Sequence, residues 1–162
     1  MRAAFRQFAL IALLVLLATG VPGAANAATA IKGDPRGDAP RYIDISRVKY
    51  GNTEHRISAR IRIPALERRD VARLLITKAG LDTGYWAKVK IASDGSLSER
   101  FTHSAGKRRC DFHARWDAPD NVVVIAVPQR CVKSFGSGTV YVRAVTGHYR
   151  DWAPGVRRLG RG

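Results

Sequence analysis

The chain has 162 residues, with 28 Lys or Arg against 13 Asp or Glu, which gives a formal net charge of +15. This length suits one domain with a proper core, and the basic excess favours anionic partners such as acidic glycans, acidic cell-wall polymers or nucleic acid. The 21 arginines against seven lysines are also what a GC-rich genome would produce without any ligand.

Residues 1–27 have the pattern of a secretory signal peptide. Arg2 and Arg6 form a basic start, residues 8–18 form an unbroken apolar run, and the segment ends in small residues up to Ala27. This pattern predicts cleavage after about Ala27 and a secreted, extracellular mature protein, residues 28–162. The run is shorter than the roughly 20 residues of a membrane anchor. No second long apolar run follows, so no transmembrane segment is predicted in the mature chain.

Cleavage would lower the formal charge from +15 to +13, because the segment holds two arginines and no acid. Residues 28–41 then contain Gly, Pro and Asp without an apolar period, and we predict a lead-in arm without regular structure.

Three aspartates stand close together at the end of this arm, namely Asp34, Asp38 and Asp44. Gathered carboxylates are the ligands that Ca²⁺ needs, so a calcium site is one hypothesis, with Asp82, Asp151 or backbone carbonyls completing the shell. The alternative is that these side chains satisfy the turn backbone and pair with Arg36 and Arg41. No other cofactor is predicted.

The next two segments are predicted strands. Residues 42–50 are apolar at alternating positions, with a shift of phase between Ile45 and Val48 that suggests a bulge. Residues 56–63 alternate strictly, which predicts an antiparallel strand with one buried face and one wet face. The wet face carries Arg56, Arg60 and Arg62.

Residues 71–78 and 85–91 are also predicted strands, and the second directs Trp86, Lys88 and Lys90 outward. The Asp-Gly pair at 94–95 predicts a tight hairpin into a further strand over 97–104. An exposed tryptophan is a platform for sugar rings, so we combine Trp86 with Arg60 and Arg62 into one hypothetical ligand face.

The stretch from Cys110 to Cys131 predicts a core hairpin. Its outgoing limb places Cys110, Phe112, Ala114 and Trp116 on one face, and its return limb, residues 122–127, is apolar throughout. In an oxidising compartment the two cysteines are expected to form a disulfide. The rival interpretations are a metal site and a thiol nucleophile, but the spacing does not fit zinc.

Residues 139–145 form the last predicted strand, and 153–162 form a basic flexible tail. About eight strands over residues 42–152, with no long helix, predict an all-β fold, an antiparallel β-sandwich of jelly-roll type.

Catalytic motifs are missing from the sequence. The four histidines have no metal-ligand spacing, and neither a nucleophile elbow nor a phosphate-binding loop occurs. We therefore expect a non-catalytic binding or envelope-associated protein whose ligand is a carbohydrate or an anionic envelope polymer. The alternatives are polyanion or nucleic-acid binding through the basic face, and an unrecognised secreted hydrolase.

The opening of the mature chain resembles a group of secreted actinobacterial proteins of unknown function. The similarity lies in residues 33–39 (GDPRGDA) and 42–48 (YIDISRV) and extends over most of 33–152. More distantly, these residues and the Leu-Asp-Thr segment 81–83 resemble DOMON-like and family-9-like carbohydrate-binding modules. That resemblance implies a jelly-roll-like sandwich, with calcium bound in some members and sugar recognised in others.

Overall fold

The computed structural model describes residues 28–67, 70–78, 84–135, 139–148 and 150–162. Over these ranges the chain forms two antiparallel sheets packed face to face, which confirms the predicted all-β sandwich. The predicted signal peptide, residues 1–27, and Asp82 lie outside the described residues. In the part of the chain that is described, no helix is long and apolar enough to cross a membrane.

The strands follow one another along the chain with these bounds: β1 Ala28–Gly33, β2 Arg47–Asn52, β3 Arg56–Arg62, β4 Val71–Lys78, β5 Gly84–Ile91, β6 Leu97–His103, β7 Gly106–Lys107, β8 His113–Asp117, β9 Val122–Pro128, β10 Val140–Thr146, β11 Asp151–Trp152 and β12 Val156–Leu159. A 3₁₀ segment, Gln129–Phe135, lies between β9 and β10. Within the described ranges the five-stranded sheet has the order β1-β2-β3-β9-β8, and the seven-stranded sheet runs β11-β10-β4-β5-β6-β7, with β12 also paired to β10. The prediction of about eight strands was therefore too low.

The core lies between the two sheets and follows the predicted alternation. Ile57 and Ile61 of β3 are fully buried from one side, and Ala87 and Val89 of β5 are fully buried from the other. Since side chains of a strand alternate between its two faces, the intervening residues point away from the core on each sheet.

A buried tyrosine joins the two sheets. Tyr50 of β2 is fully buried, and its hydroxyl accepts a hydrogen bond from the Ala144 amide (3.0 Å) and donates one to the Pro154 carbonyl (3.2 Å). Ala144 lies where β10 passes from pairing with β12 to pairing with β11, so the hydroxyl replaces a missing strand partner. Burial raises the pKa of Tyr50 to about 12, which keeps the hydroxyl protonated.

Replacing Tyr50 with Phe should lower the free energy of unfolding by about 1–3 kcal/mol, because the Ala144 amide would be left buried without an acceptor. Urea unfolding measures the loss. Tyr141→Phe, on the outer side of β10, is the matched control and should unfold near the wild-type midpoint. Equal midpoints for Tyr50→Phe and the wild type would contradict this role.

The predicted lead-in arm was wrong over its first half. Residues 28–33 form β1, which pairs with β2 from Ala28 opposite Asn52 to Gly33 opposite Arg47. Ala28 and Ala30 are half-buried against the core. Such small side chains give no visible apolar period, which is why composition alone indicated a loop.

The strand predicted over 42–50 begins only at Arg47. The Pro40 carbonyl accepts hydrogen bonds from the amides of Ile43 (2.8 Å) and Asp44 (3.0 Å), which closes a turn before the strand. The phase shift between Ile45 and Val48 therefore marks the end of a loop rather than a bulge.

The predicted flexible tail, residues 153–162, is largely ordered. Residues 156–159 form β12 against β10, the Asn52 side chain donates to the Leu159 carbonyl (3.0 Å), and the Arg161 guanidinium donates to the Gln129 side chain (3.0 Å). The sandwich thus extends beyond the predicted boundary at residue 152. The partners lie more than 100 residues apart in the case of Asn52 and Leu159, so local composition could not reveal them.

The disulfide between Cys110 and Cys131 is confirmed, with the two Cα atoms 5.8 Å apart. The outgoing limb becomes a strand only at His113, and Cys131 belongs to the 3₁₀ segment. Trp116, predicted as core, is half-buried at the rim, where its indole N–H donates to the Glu67 carbonyl (3.1 Å).

Candidate metal centre and candidate binding faces

Four aspartates meet where the loop before β2 touches the start of β11. Asp34, Asp38 and Asp151 each offer a carboxylate oxygen, and the three oxygens lie within 4.8 Å of one another. Asp44 is close enough for its charge to act on Asp34 and Asp151. The fold thus brings the three predicted aspartates together with Asp151, one of the residues considered for completing the shell.

Backbone amides hold the two buried carboxylates in place. One oxygen of Asp44 accepts a hydrogen bond from the Gly37 amide (2.9 Å), and Asp151 accepts one from the Ile45 amide. Gly37 has a φ of 86°, a left-handed conformation that glycine adopts without strain and that shapes the turn presenting its amide. The Thr146 hydroxyl donates to the Ile43 carbonyl, which fixes the loop to β10.

The cluster leaves two buried oxygens without a hydrogen-bond partner among the described residues, one on Asp34 and one on Asp44. Asp44 is only 7% exposed, so water does not readily compensate for the missing partner. Neither Arg36 nor Arg41 forms an ion pair with these carboxylates in the described part of the chain. The alternative explanation is therefore met in one half only: Asp44 does satisfy the turn amide of Gly37, but no arginine pairs with the aspartates among the described residues.

Burial and mutual repulsion disfavour the ionised forms of these groups. Burial, then the Asp151 and Asp38 charges, a shared hydrogen bond with Asp151 and the Asp44 charge raise the pKa of Asp34 to about 7. Burial also raises the pKa of Asp151, against the hydrogen bond from the Ile45 amide. A hard cation with oxygen ligands would neutralise the cluster, and unpaired carboxylate oxygens suit Ca²⁺.

Without calcium, the melting temperature should fall as the pH rises from about 4 to about 7. The folded protein keeps a proton on Asp34 up to a pKa of about 7, whereas the unfolded chain loses it near 3.8, so folded protein binds more protons across this window. Calorimetry in chelator checks the slope, with Asp34→Asn as the control that should flatten it. If the melting temperature of the wild type fell no more steeply with pH than that of Asp34→Asn, the raised pKa of Asp34 would be contradicted.

The outer face of the five-stranded sheet carries two adjacent rows of side chains in register. In the first row, Lys49 lies opposite Arg60, Arg60 lies opposite Val124, and Val124 lies opposite Arg115 on the next strand. In the second row Arg47 lies opposite Arg62. The predicted residues Arg60 and Arg62 are thus exposed beside three cations that sequence reasoning missed, because cross-strand register is not visible in the sequence.

A cavity of about 530 Å³ opens on this face between the cations and Asp120. Ile31, which is 53% exposed, lies next to Lys49 at the β1 edge. Arg115 forms an ion pair with Asp117 (3.3 Å). Arg56 is exposed opposite Pro128, at the other end of β3 and away from the cavity.

The outer face of the seven-stranded sheet holds the other predicted ligand residues. Trp86 is half-buried and packs edge-to-face on Trp152 at 6.3 Å, and the Arg143 guanidinium lies 4.7 Å above the Trp152 ring. Lys88 and Lys90 lie on the same face and line a cavity of about 260 Å³. Burial, followed by the neighbouring cations Arg73, Arg100 and Lys90, lowers the pKa of Lys88.

The combination of Trp86 with Arg60 and Arg62 into one ligand face was wrong. Both β3 and β5 direct their buried side chains into the shared core, so their remaining side chains point to opposite sides of the sandwich. The alternation had assigned each side chain correctly to a face of its own strand, but it does not tell which sheet the strand joins.

The Asp cluster and the outer face of the five-stranded sheet are therefore the two sites that the fold assembles from predicted residues. Each gains members from distant segments, Asp151 in the first and Arg47, Lys49 and Arg115 in the second. Comparisons of the chain with protein-family models, with curated proteins and with solved structures found no match.

Proposed function

We propose that this protein is a secreted, non-catalytic β-sandwich that binds an anionic polymer of the cell envelope on the outer face of its five-stranded sheet. The observation that carries the proposal is the set of five cations in two adjacent cross-strand rows: Arg47, Lys49, Arg60, Arg62 and Arg115. Among the described outward positions of these rows, one residue is acidic, namely Asp117. Its carboxylate forms an ion pair with Arg115.

The spacing of the cations suits a linear polyanion. Neighbouring strands lie about 4.8 Å apart, so Lys49 and Arg60 are separated by about 5 Å and Arg115 lies about 10 Å further along the row. Repeated phosphates or carboxylates of a polymer crossing the strands would meet successive cations. The planar guanidinium group of an arginine binds a phosphate or carboxylate through two parallel hydrogen bonds.

An envelope polymer is favoured over single-stranded nucleic acid by the side chains between the cations. Proteins that bind single strands stack bases on aromatic rings set within the basic groove. Among the described outward positions of the two rows, Val122 and Val124 lie between the charged residues, Ile31 lies at the β1 end, and no aromatic ring occurs. The face therefore offers charge without a stacking platform.

The test is the affinity for a glycerol-phosphate polymer as salt is raised. Counterion release predicts a loss of affinity as salt is raised, and removing cations from this face should make that loss less steep. Arg60→Ala with Arg62→Ala should weaken binding about tenfold or more at low salt. The control, Arg157→Ala with Arg158→Ala, removes two exposed charges on β12 and should bind like the wild type. Equal losses in both variants, or none in either, would contradict the proposal.

Calcium binding at the Asp cluster is a second candidate function, favoured by the unpaired buried oxygens of Asp34 and Asp44. A bound ion would lock the loop before β2 to the start of β11, since Asp34, Asp38 and Asp151 come from these two segments. Its contribution would be to the stability of the sandwich. A melting temperature that is unchanged by calcium and by chelator would remove this candidate.

A further inference from the structure

A cavity of about 1080 Å³ lies at the edge of the sandwich beside the disulfide. Its wall includes Arg108, Arg109 and Arg130, which come from two separate segments and are all exposed. Arg109 directly precedes Cys110, and Arg130 directly precedes Cys131. The disulfide holds the Cα atoms of the two cysteines 5.8 Å apart, and it therefore holds both arginines at one cavity.

The same cavity also offers hydrogen-bond acceptors, because Glu99 and Asp111 supply carboxylates to its wall. Tyr85 and Phe101, which are 6% and 3% exposed, belong to the core and close the cavity from below. Carboxylates accept hydrogen bonds from sugar hydroxyls.

We propose that this cavity binds a short acidic oligosaccharide. Arg108, Arg109 and Arg130 would bind its carboxylates, while Glu99 and Asp111 would accept hydrogen bonds from its hydroxyls. The cavity is at the upper end of the range for small-molecule sites, about 300–1,000 Å³, which leaves room for more than one sugar unit.

This site is distinct from the proposed polymer-binding face. The cavity is built on β5, β6 and the disulfide segments, whereas the cations of that face lie on β2, β3 and β8. Either site could exist without the other. Different substitutions therefore test the two proposals separately.

The experiment is calorimetric titration of the full mature chain with a short hexuronate oligosaccharide at physiological salt. The wild type should bind, and Arg109→Ala with Arg130→Ala should weaken binding at least tenfold. Arg157→Ala with Arg158→Ala removes the same charge from β12, outside both proposed sites, and should leave this affinity within about twofold, since surface charges beyond a Debye length of about 8 Å are largely screened. A neutral oligosaccharide of equal length should bind at least tenfold more weakly.

A second variant addresses the disulfide itself. Cys110→Ala with Cys131→Ala should lose hexuronate binding, and a cooperative thermal unfolding transition shows that this variant has folded. Several results would overturn the proposal: no hexuronate binding by the wild type, equal binding of the neutral oligosaccharide, or wild-type affinity in Arg109→Ala with Arg130→Ala. A loss of hexuronate binding as large in Arg157→Ala with Arg158→Ala would overturn it as well.

Discussion

Chelation of calcium should lower the melting temperature of the chain comprising residues 28–162 by about 10 °C. A ligand present at 100 times its dissociation constant stabilises the folded state by about 2.7 kcal/mol, and in a domain of this size 1 kcal/mol corresponds to about 4 °C. The stabilisation arises because the ion would neutralise the clustered carboxylates of Asp34, Asp38 and Asp151 and supply a partner for the unpaired oxygen of Asp34. Differential scanning calorimetry with calcium and with chelator measures the shift.

Asp38 gives the sharpest variant, because it is exposed and its loss should leave the core intact. Asp38→Asn should reduce the difference between the calcium and chelator melting temperatures by more than half. Asp120→Asn, also exposed and not a member of the cluster, should keep the full difference. A difference that survives in Asp38→Asn would show that calcium acts elsewhere, and the absence of any difference in the wild type would remove the site.

Loss of the disulfide should be the other large effect. Cys110 and Cys131 are 21 residues apart, and closing a loop of that length restricts the unfolded chain by about 3 kcal/mol. Cys110→Ala with Cys131→Ala should therefore melt about 12 °C below the wild type. The bond joins the segment before β8 to the 3₁₀ segment after β9, so it closes one end of a core hairpin.

Urea unfolding with and without reductant measures this effect. Reductant should shift the wild-type midpoint to that of the double variant and leave the variant unchanged. If the wild type and the double variant unfold at the same urea concentration under oxidising conditions, the disulfide does not stabilise the fold. A reductant effect on the variant would point to damage unrelated to the bond.

The features that could be predicted from the sequence are those that the alternation of apolar and polar residues within one strand reveals. In β3, Ile57, Ala59 and Ile61 are buried as predicted, and Tyr85, Ala87 and Val89 of β5 are buried in the same way. Period-two alternation reports directly on the two faces of a strand, so it identified strands and their buried sides. The disulfide followed from the number of cysteines and the expected compartment.

The features that escaped prediction depend on contacts between distant segments. Strand β12 is held by the Asn52 side chain, and β1 pairs through backbone groups of small residues. Neither contact leaves an apolar period. Likewise, Asp34, Asp38 and Asp44 could be found as a local cluster, whereas Asp151 could be named only as one of several candidates, because its contact with the cluster depends on the pairing of β11 with β10.

The most direct test of the proposed polymer-binding face is an NMR titration of residues 28–162 with a glycerol-phosphate polymer. The amide signals of β2 and β3, around Arg47, Lys49, Arg60 and Arg62, should shift together, and those of Arg115 on β8 should follow. Signals of β5 around Trp86 and Lys88 should stay in place. Chemical-shift changes confined to the seven-stranded sheet would contradict the proposed polymer-binding face. No changes at a large excess of polymer would contradict it as well.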